Sequence, residues 1–590
     1  LFMYYIDLGA ATQSLYTTAF KGLLLQENYD AINHVLAGSY YYGSYLGIHF
    51  SPFLFLLVPI FAVAPSASTL LTIKSFAIGL SIVPAYVFAK DVIKGRLPLV
   101  VALVAYIANP SLQNLAFADF QAQAFFPLLW LAAVYFYRRQ RLGLYYPLLI
   151  LSLSTNELMS VLVAFYALVE LGLGRFRLTE KTRPMLFTLA SAVVWFSIAF
   201  FVIMPLFKPH TLVPWNSALR GNILGALAFE FAKKMMFWVL SLAPFAFQPL
   251  LSRYIVSLLP LVGGSFLSTS RSAYVFGWHY GGYSIPFLFL AFVDILARSR
   301  FKSKTLGPIL VLALSLSLIF SPLNPLNTDV IPGIAYGAVP YDQNHINLIH
   351  QVTGLVPPDA SILVQTPISQ ILAARANSYT AVPSLASAGI DYILADSKHW
   401  DFRYLGFDHI VSDAINNGSY GVLAYADGII LLKKGYTSRP TVYMPLDEFF
   451  SVSSEVEGRI PATANLALGD AVGRRPDPSS SSGQVAYASG IHQNVDIVWY
   501  GPYVTLLPGN YSATVVLKVI DANNFTEGTH MLTVQVAANT GKTILVTQEV
   551  LVPNASAIGA FFNVTLSFSL NRAIPDIEVR GVNLENCSIE

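Results

Sequence analysis

Apolar positions fall into two regimes along the chain. Before about Ser321 they form long runs, and after it they come in short alternating stretches. A bilayer core takes ~20 apolar residues per helix. The early runs lie at about 68–89, 97–113, 121–137, 143–173, 184–206, 226–264, 283–297 and 305–321. Two are too long for one crossing. The stretch 143–173 is broken by the polar Ser154–Glu157, and 226–264 by Pro244, Gln248, Pro249 and Arg253. Each reads as a pair of helices, giving about ten spans. The apolar stretch from His49 to Pro65 is short, and it reads as a juxtamembrane helix on the outer surface.

The later half has strand texture. Within 357–435, ASILVQ and DYILAD read as buried strands. GVLAYADGIILLKKG reads as a hairpin turning at Asp427–Gly428. A Pro/Ser/Gly-rich stretch, 451–483, reads as linker. Alternating segments from Val495 onward then suggest a β-sandwich. The expected fold class is therefore an α-helical polytopic membrane core, an α/β module and a C-terminal β-sandwich. The expected domains are 1–322 for the core with an outer loop 1–67, 323–436 for the α/β module, 437–488 for linker and start of the outer domain, and 489–590 for the sandwich.

Composition and charge refine this picture. Of 590 residues, 55% are hydrophobic and only 12% charged, against about 25% charged in soluble domains. No basic run interleaved with aromatics points to nucleic acid. The single cysteine, Cys587, excludes an internal disulfide framework and a cysteine metal site. A large outer region without disulfides fits a bacterial or archaeal cell envelope. Four basic clusters set the orientation: Lys90, Lys94 and Arg96; Arg138, Arg139 and Arg141; Arg175, Arg177, Lys181 and Arg183; and Arg298, Arg300, Lys302 and Lys304. With all four in the cytoplasm, everything after Ser321 is extracytoplasmic. Six Asn-x-Ser/Thr sequons, at Asn417, Asn510, Asn524, Asn554, Asn563 and Asn586, lie after the last span and none before it. The abrupt opening LFMYYIDLGA reads as the outer end of a hydrophobic segment, so a preceding transmembrane helix is expected.

Ionisable residues beside spans are costly and mark sites. This topology brings Asp7, His49, Asp119, Glu157 and His279–Tyr280 to one side of the membrane. A carboxylate there can serve as general base on an acceptor hydroxyl or amide. A second acid can hold a divalent metal, and Arg220 or Arg253 can neutralise a lipid phosphate. Each has a plainer role as well. Asp7 and Glu157 suit the capping of broken helices, His49 suits capping the helix that begins at Ser51, and Arg253 suits snorkelling. A transporter is disfavoured, because no inverted repeat with matched broken helices is visible.

Six short motifs in order carry a resemblance. They are Asp7, Gly9 and Gln13; HFSP from His49; Asp119–Phe120; the acidic break at Glu157; His279–Tyr280 with IPFLF from Ile285; and PPDASILVQ, DYILAD and YGVLAYADGIILLKKGY. Over residues 1–436 this order resembles an uncharacterised family of prokaryotic polytopic proteins, the domain of unknown function 2079, itself similar to GT-C membrane glycosyltransferases. The resemblance implies a polyprenyl-phosphate sugar donor, with Asp7 as base or metal ligand and Glu157 and Asp119 as supporting acids. It also implies His49, His279 and Tyr280 as substrate contacts, and a site where the core meets the α/β module. The chain departs from the family pattern at DFQAQ, where Gln121 and Gln123 replace His and Glu, and at Asn156, which replaces Lys. The alternative is a catalytically degenerate anchor or assembly subunit presenting the outer module to cell-envelope proteins. YGPYVTLLPGNYSATVVLKV resembles carbohydrate-binding jelly rolls, with surface display as the plainer reading.

Overall fold

The computed structural model describes residues 6–29, 31, 43–177, 179–180, 182–207, 223–270, 273–298, 303–321, 343–399, 402, 406–438, 441–442, 467–469, 472–480, 484–489, 495–506, 509–522, 527–538, 541–572, 574–585 and 587–589. The chain divides into two compact units. The first is Leu1–Pro340 with Ser369–Ala381, and the second is Tyr341–Ile368 with Val382–Glu590.

The first unit is helical. Helix α1 is Ile6–Lys21, α2 Leu54–Val63, α3 Ala67–Leu80, α4 Ile82–Val92, α5 Arg96–Ile107 and α6 Pro110–Phe117. Helix α7 is Phe126–Arg138, α8 Leu142–Ser154, α9 Glu157–Leu173, α10 Arg183–Ile198, α11 Phe231–Leu242, α12 Leu259–Leu267, α13 Ile285–Arg298 and α14 Ser303–Phe320. Among the described residues, three helices are long and apolar enough to cross a membrane unbroken: Ala67–Val92, Arg183–Phe207 and His279–Arg298. A fourth crossing arises if α5 and α6, bent by 41°, count as one. The expected ten spans would therefore need the shorter helices to cross in pieces. Helix α2 has 10 residues, about 15 Å at 1.5 Å per residue, too short to span.

The breaks have local causes. Between α5 and α6, Asn109 accepts the Ser111 N–H at 2.9 Å and Pro110 starts the new helix, a capped N-terminus with proline at its first position. At the Ser154–Glu157 break, Asn156 is the cap and accepts from Leu158 N at 2.8 Å. That leaves the Glu157 carboxylate free to reach elsewhere. The run 226–264 is broken as expected, with 3₁₀ turns at 243–258 between α11 and α12. One apolar core joins α4 to α9 with α11 and α13, including the buried Trp130, Tyr166 and Phe287.

Described basic residues of two clusters, Arg138 with Arg139 and Arg298, are held by acids and hydroxyls of neighbouring helices. Arg139 forks onto Asp91 at 2.7 and 2.6 Å. Arg138 donates to the Tyr254 hydroxyl at 2.8 Å, and that hydroxyl donates to Glu170 at 2.6 Å. Ser252 donates to Asp294 at 2.7 Å, and Asp294 also accepts from Arg298. The final residues of α7, α9 and α13 thus meet at residues 252–254.

The second unit begins with helix α15, Gln343–Thr353, and strand β1, Ile362–Val364. Strand β1 pairs in parallel with β2, Tyr392–Asp396. Strand β2 pairs antiparallel with β4, Ile429–Lys434, which pairs with β3, Tyr420–Ala426. The turn between β3 and β4 is Asp427–Gly428, with φ of +47° and +88°, as a type I′ hairpin requires. Helix α16, Phe407–Asn416, precedes β3. Two antiparallel sheets follow, built from strands between Ala467 and Ile589 around one apolar core that includes Trp499, Met531 and Leu532. Part of the expected linker is strand: Val472–Pro476 pairs with Gln484–Ser489. Of the sequons, Asn417, Asn510, Asn554 and Asn563 are exposed, and Asn524 and Asn586 lie outside the described residues.

Candidate functional site

The starts of α1, α7, α9 and α13 bring the sequence-selected acids together. Asp7 stands in the first turn of α1, where the helix dipole favours a negative charge. The Gln121 side-chain amide donates to Asp7 Oδ2. Asp119, two residues before Gln121, accepts the Phe120 N–H at 2.8 Å through Oδ1 and lies close to the Leu8 backbone N–H. Burial, and after it the Asp7 charge, push the Asp119 carboxyl well above the usual carboxylate range.

A second lobe forms around His49. Its Nδ1 lies 3.1 Å from Glu157 Oε1, and Glu157 Oε2 accepts the Phe50 N–H at 2.9 Å. Asn156 Nδ2 reaches His49 Nδ1 at 3.3 Å. Glu157 therefore does more than begin a helix: it bridges to the loop before α2. Tyr45 joins the lobes. Its ring centre is 6.0 Å from that of His49. Burial, then Asp7 and Glu157, push its phenol up, so it remains a donor.

His279 and Tyr280 complete the cluster, their ring centres 4.4 Å apart. Tyr280 lies within electrostatic range of Asp7 and Glu157, and His279 within that of His49 and Lys74. A close approach places them. A Cβ on Gly282 would come within 2.5 Å of the Leu115 Cβ, so only glycine lets this segment lie against α6.

Three contributors were not legible in the sequence. Lys74, within the apolar α3, is completely buried. Its ammonium donates to the Ala118 carbonyl and lies 3.4 Å from that of Asp119, holding the loop that presents Asp119 and Gln121. Tyr45 and Tyr283 are the others. A lysine inside an apolar helix was the one available signal. Gln13, from the first motif, ties α1 to the returning segment. Its amide donates to the carbonyls of Arg375 and Ser378 at 3.0 Å, and its Oε1 accepts from Asn28 N at 2.6 Å.

Arg253 is not part of the site. It follows Ser252, which is bonded to Asp294 near the far end of α13. Asp294 is 15 residues beyond His279, about 20 Å along a helix. The run 226–264 turns at Arg253, so the same break that marks the residue carries it to the end opposite Asp7. Arg220 lies outside the described residues. Among the described residues no three His, Cys, Asp or Glu side chains converge as metal ligands.

Residues 5–431 match the model of a family described as predicted membrane protein (DUF2079). Among solved structures, the chain aligns at 12% identity and TM-score 0.45 with ArnT from Cupriavidus metallidurans bound to undecaprenyl phosphate, covering 73% of this chain and 94% of that one. It aligns at 11% identity and TM-score 0.36 with the mycobacterial arabinofuranosyltransferase AftD, covering 99% of this chain and 60% of that one. An arabinose-bound α-L-arabinofuranosidase aligns over 22% of each chain at 13% identity and TM-score 0.18. No curated protein matches the chain.

Proposed function

Because the chain belongs to the DUF2079 family of predicted membrane proteins, and because its helical core gathers acids at one end, we propose that it moves a sugar from a polyprenyl-phosphate carrier to an acceptor at the outer membrane face. The observation that carries this reading is the convergence of Asp7, Asp119, Glu157, His49, His279 and Tyr280 from five separate stretches of a membrane-type core. Buried acids in such a core are expensive unless they serve a site.

Asp7 is the general base. Its carboxylate takes the proton from the acceptor hydroxyl as that oxygen bonds to the anomeric carbon. The anomeric carbon–oxygen bond to phosphate breaks, and the polyprenyl phosphate leaves with the bond pair. The amide of Gln121 fixes Asp7 and cannot take its proton at neutral pH. His49, oriented by Glu157, presents its other ring nitrogen to the phosphate oxygens, and when protonated it is a cation there. His279 and Tyr280 form a wall for the sugar. The carboxyl of Asp119 supports Asp7 from below.

The sandwich and its sequons belong to the same proposal as an extracytoplasmic, glycosylated module. A second reading has its own observation. Gln121 and Gln123 are neutral amides in the loop that faces Asp7, which suits a catalytically degenerate anchor holding the outer module for cell-envelope partners. Transfer of radiolabelled sugar from polyprenyl-phosphate donors by the purified protein in lipid tests both. Asp7→Asn lowers turnover about 10²–10⁴-fold if Asp7 is the base. Unchanged turnover rejects that role, and no turnover by the wild type with any donor leaves the anchor.

A further inference from the structure

Three polar atoms at this site have no hydrogen-bond partner among the described residues: Asp119 Oδ2, Gln123 Oε1 and Tyr283 Oη. All three side chains are more than nine-tenths buried. Asp119 feels the charge of Asp7. Tyr283 lies within electrostatic range of Asp7, Tyr45 and Glu157, with its ring centre 5.6 Å from that of His279. Gln123 sits in the 3₁₀ turn Ala122–Phe125, which packs against the turn His279–Ser284 that carries Tyr283. Buried polar groups are normally paired, and unpaired ones in a native protein call for a ligand or a water. Here they share one neighbourhood.

The chemistry of the three atoms selects among ligands. An amide oxygen is an acceptor, a protonated carboxyl such as that of Asp119 donates through its O–H, and a phenol both donates and accepts. An ionised phosphate donates nothing, so it leaves the Gln123 amide oxygen without a donor. Lys74, a cation within electrostatic range of Asp119, donates to two backbone carbonyls. A sugar hydroxyl both donates and accepts, so a ring carrying two or three of them matches all three atoms.

Resting on the transferase reading above, we propose that Asp119, Gln123 and Tyr283 form the subsite for the hydroxyls of the transferred sugar, distinct from the groups that meet the phosphate. Gln123 and Tyr283 are then specificity residues. Their replacement removes the preference for a glycosylated carrier without touching affinity for the bare carrier.

The test measures dissociation constants of the full-length protein in nanodiscs. The probes are undecaprenyl phosphate alone and undecaprenyl phosphate bearing glucose, mannose or arabinofuranose. The wild type should prefer at least one glycosylated lipid by about tenfold or more. Gln123→Leu and Tyr283→Phe should each shrink that ratio at least about threefold, with undecaprenyl phosphate affinity held within about twofold. If Gln123→Leu does not fold, Tyr283→Phe, which removes one oxygen, decides alone. A wild type without preference, or a preference intact in the variants, overturns the subsite and leaves the three atoms to bound water only. Failure to bind undecaprenyl phosphate at all overturns the transferase reading, and the subsite with it.

Discussion

His345 provides the most quantitative test of the second unit. It is a buried histidine with carboxylates on both nitrogens: Nδ1 lies 2.8 Å from Asp427 and Nε2 2.9 Å from Asp396. Its side chain is only 4% exposed. Lys398 also pairs with Asp427, and Gln365 Oε1 accepts the Asp396 N–H at 2.6 Å. Two acceptors require two ring protons, so the folded state holds imidazolium. Burial opposes that charge, but Asp396 and then Asp427 outweigh it and raise the histidine from 6.5 to about 9. The shift corresponds to about 3 kcal/mol at ~1.4 kcal/mol per pH unit. The sign follows from linkage. Stability from a raised histidine is fully present below pH 6.5, declines above it and is gone past about pH 9. Asp396 is held below its ordinary value despite its burial, His345 being the main cause, so its contribution is lost only in acid. Hydrogen exchange of the full-length protein, corrected for the intrinsic rate, reads this directly. Peptides covering α15, β2 and the β3–β4 hairpin should lose about 100-fold in protection between pH 6.5 and 9. In His345→Gln that slope should vanish, with low protection throughout. Equal slopes in variant and wild type would refute the argument.

Three further outcomes follow from the first unit. Glu157→Gln removes the charge that holds His49 and the Phe50 N–H; sugar transfer should fall about tenfold or more, given ~1.5–3 kcal/mol for hydrogen bonds to a charged group. Lys74→Met leaves the Ala118 and Asp119 carbonyls without their donor and the Asp119 carboxyl without its cation. Thermal unfolding in detergent should register a loss of about 2–4 kcal/mol, and Asp119→Asn added to it should cost less than the sum of the two. Gly282→Ala forces a methyl against Leu115 and should destabilise by about 1–3 kcal/mol, with Leu115→Ala restoring most of the loss in the same melt.

How much was legible depended on how local the cause was. The break at Ser154–Glu157 was readable because four polar residues interrupt an apolar run, and Asn156 caps the helix there. The Asp427–Gly428 hairpin was readable because both positions take positive φ, which that dipeptide tolerates. Arg138 and Arg139 were readable as loop charge, and the structure pairs them with Tyr254 and Asp91.

The site needed the tertiary structure. His49 meets Glu157 across 108 residues, and Gln13 meets Ser378 across 365. No window of sequence holds both partners of such a pair. Lys74 reads as an interruption in an apolar helix until the Asp119 loop is seen beneath it. Arg253 reads as a phosphate ligand until the chain is seen to turn there and carry it away from Asp7. Sequence by itself determined where the apolar runs break, where the hairpin turns and which acids are candidates, because periodicity, capping and charge act within a turn or a loop. Only packing decided which of those acids lie near one another and which neighbours hold them, because that depends on how distant helices close over one another.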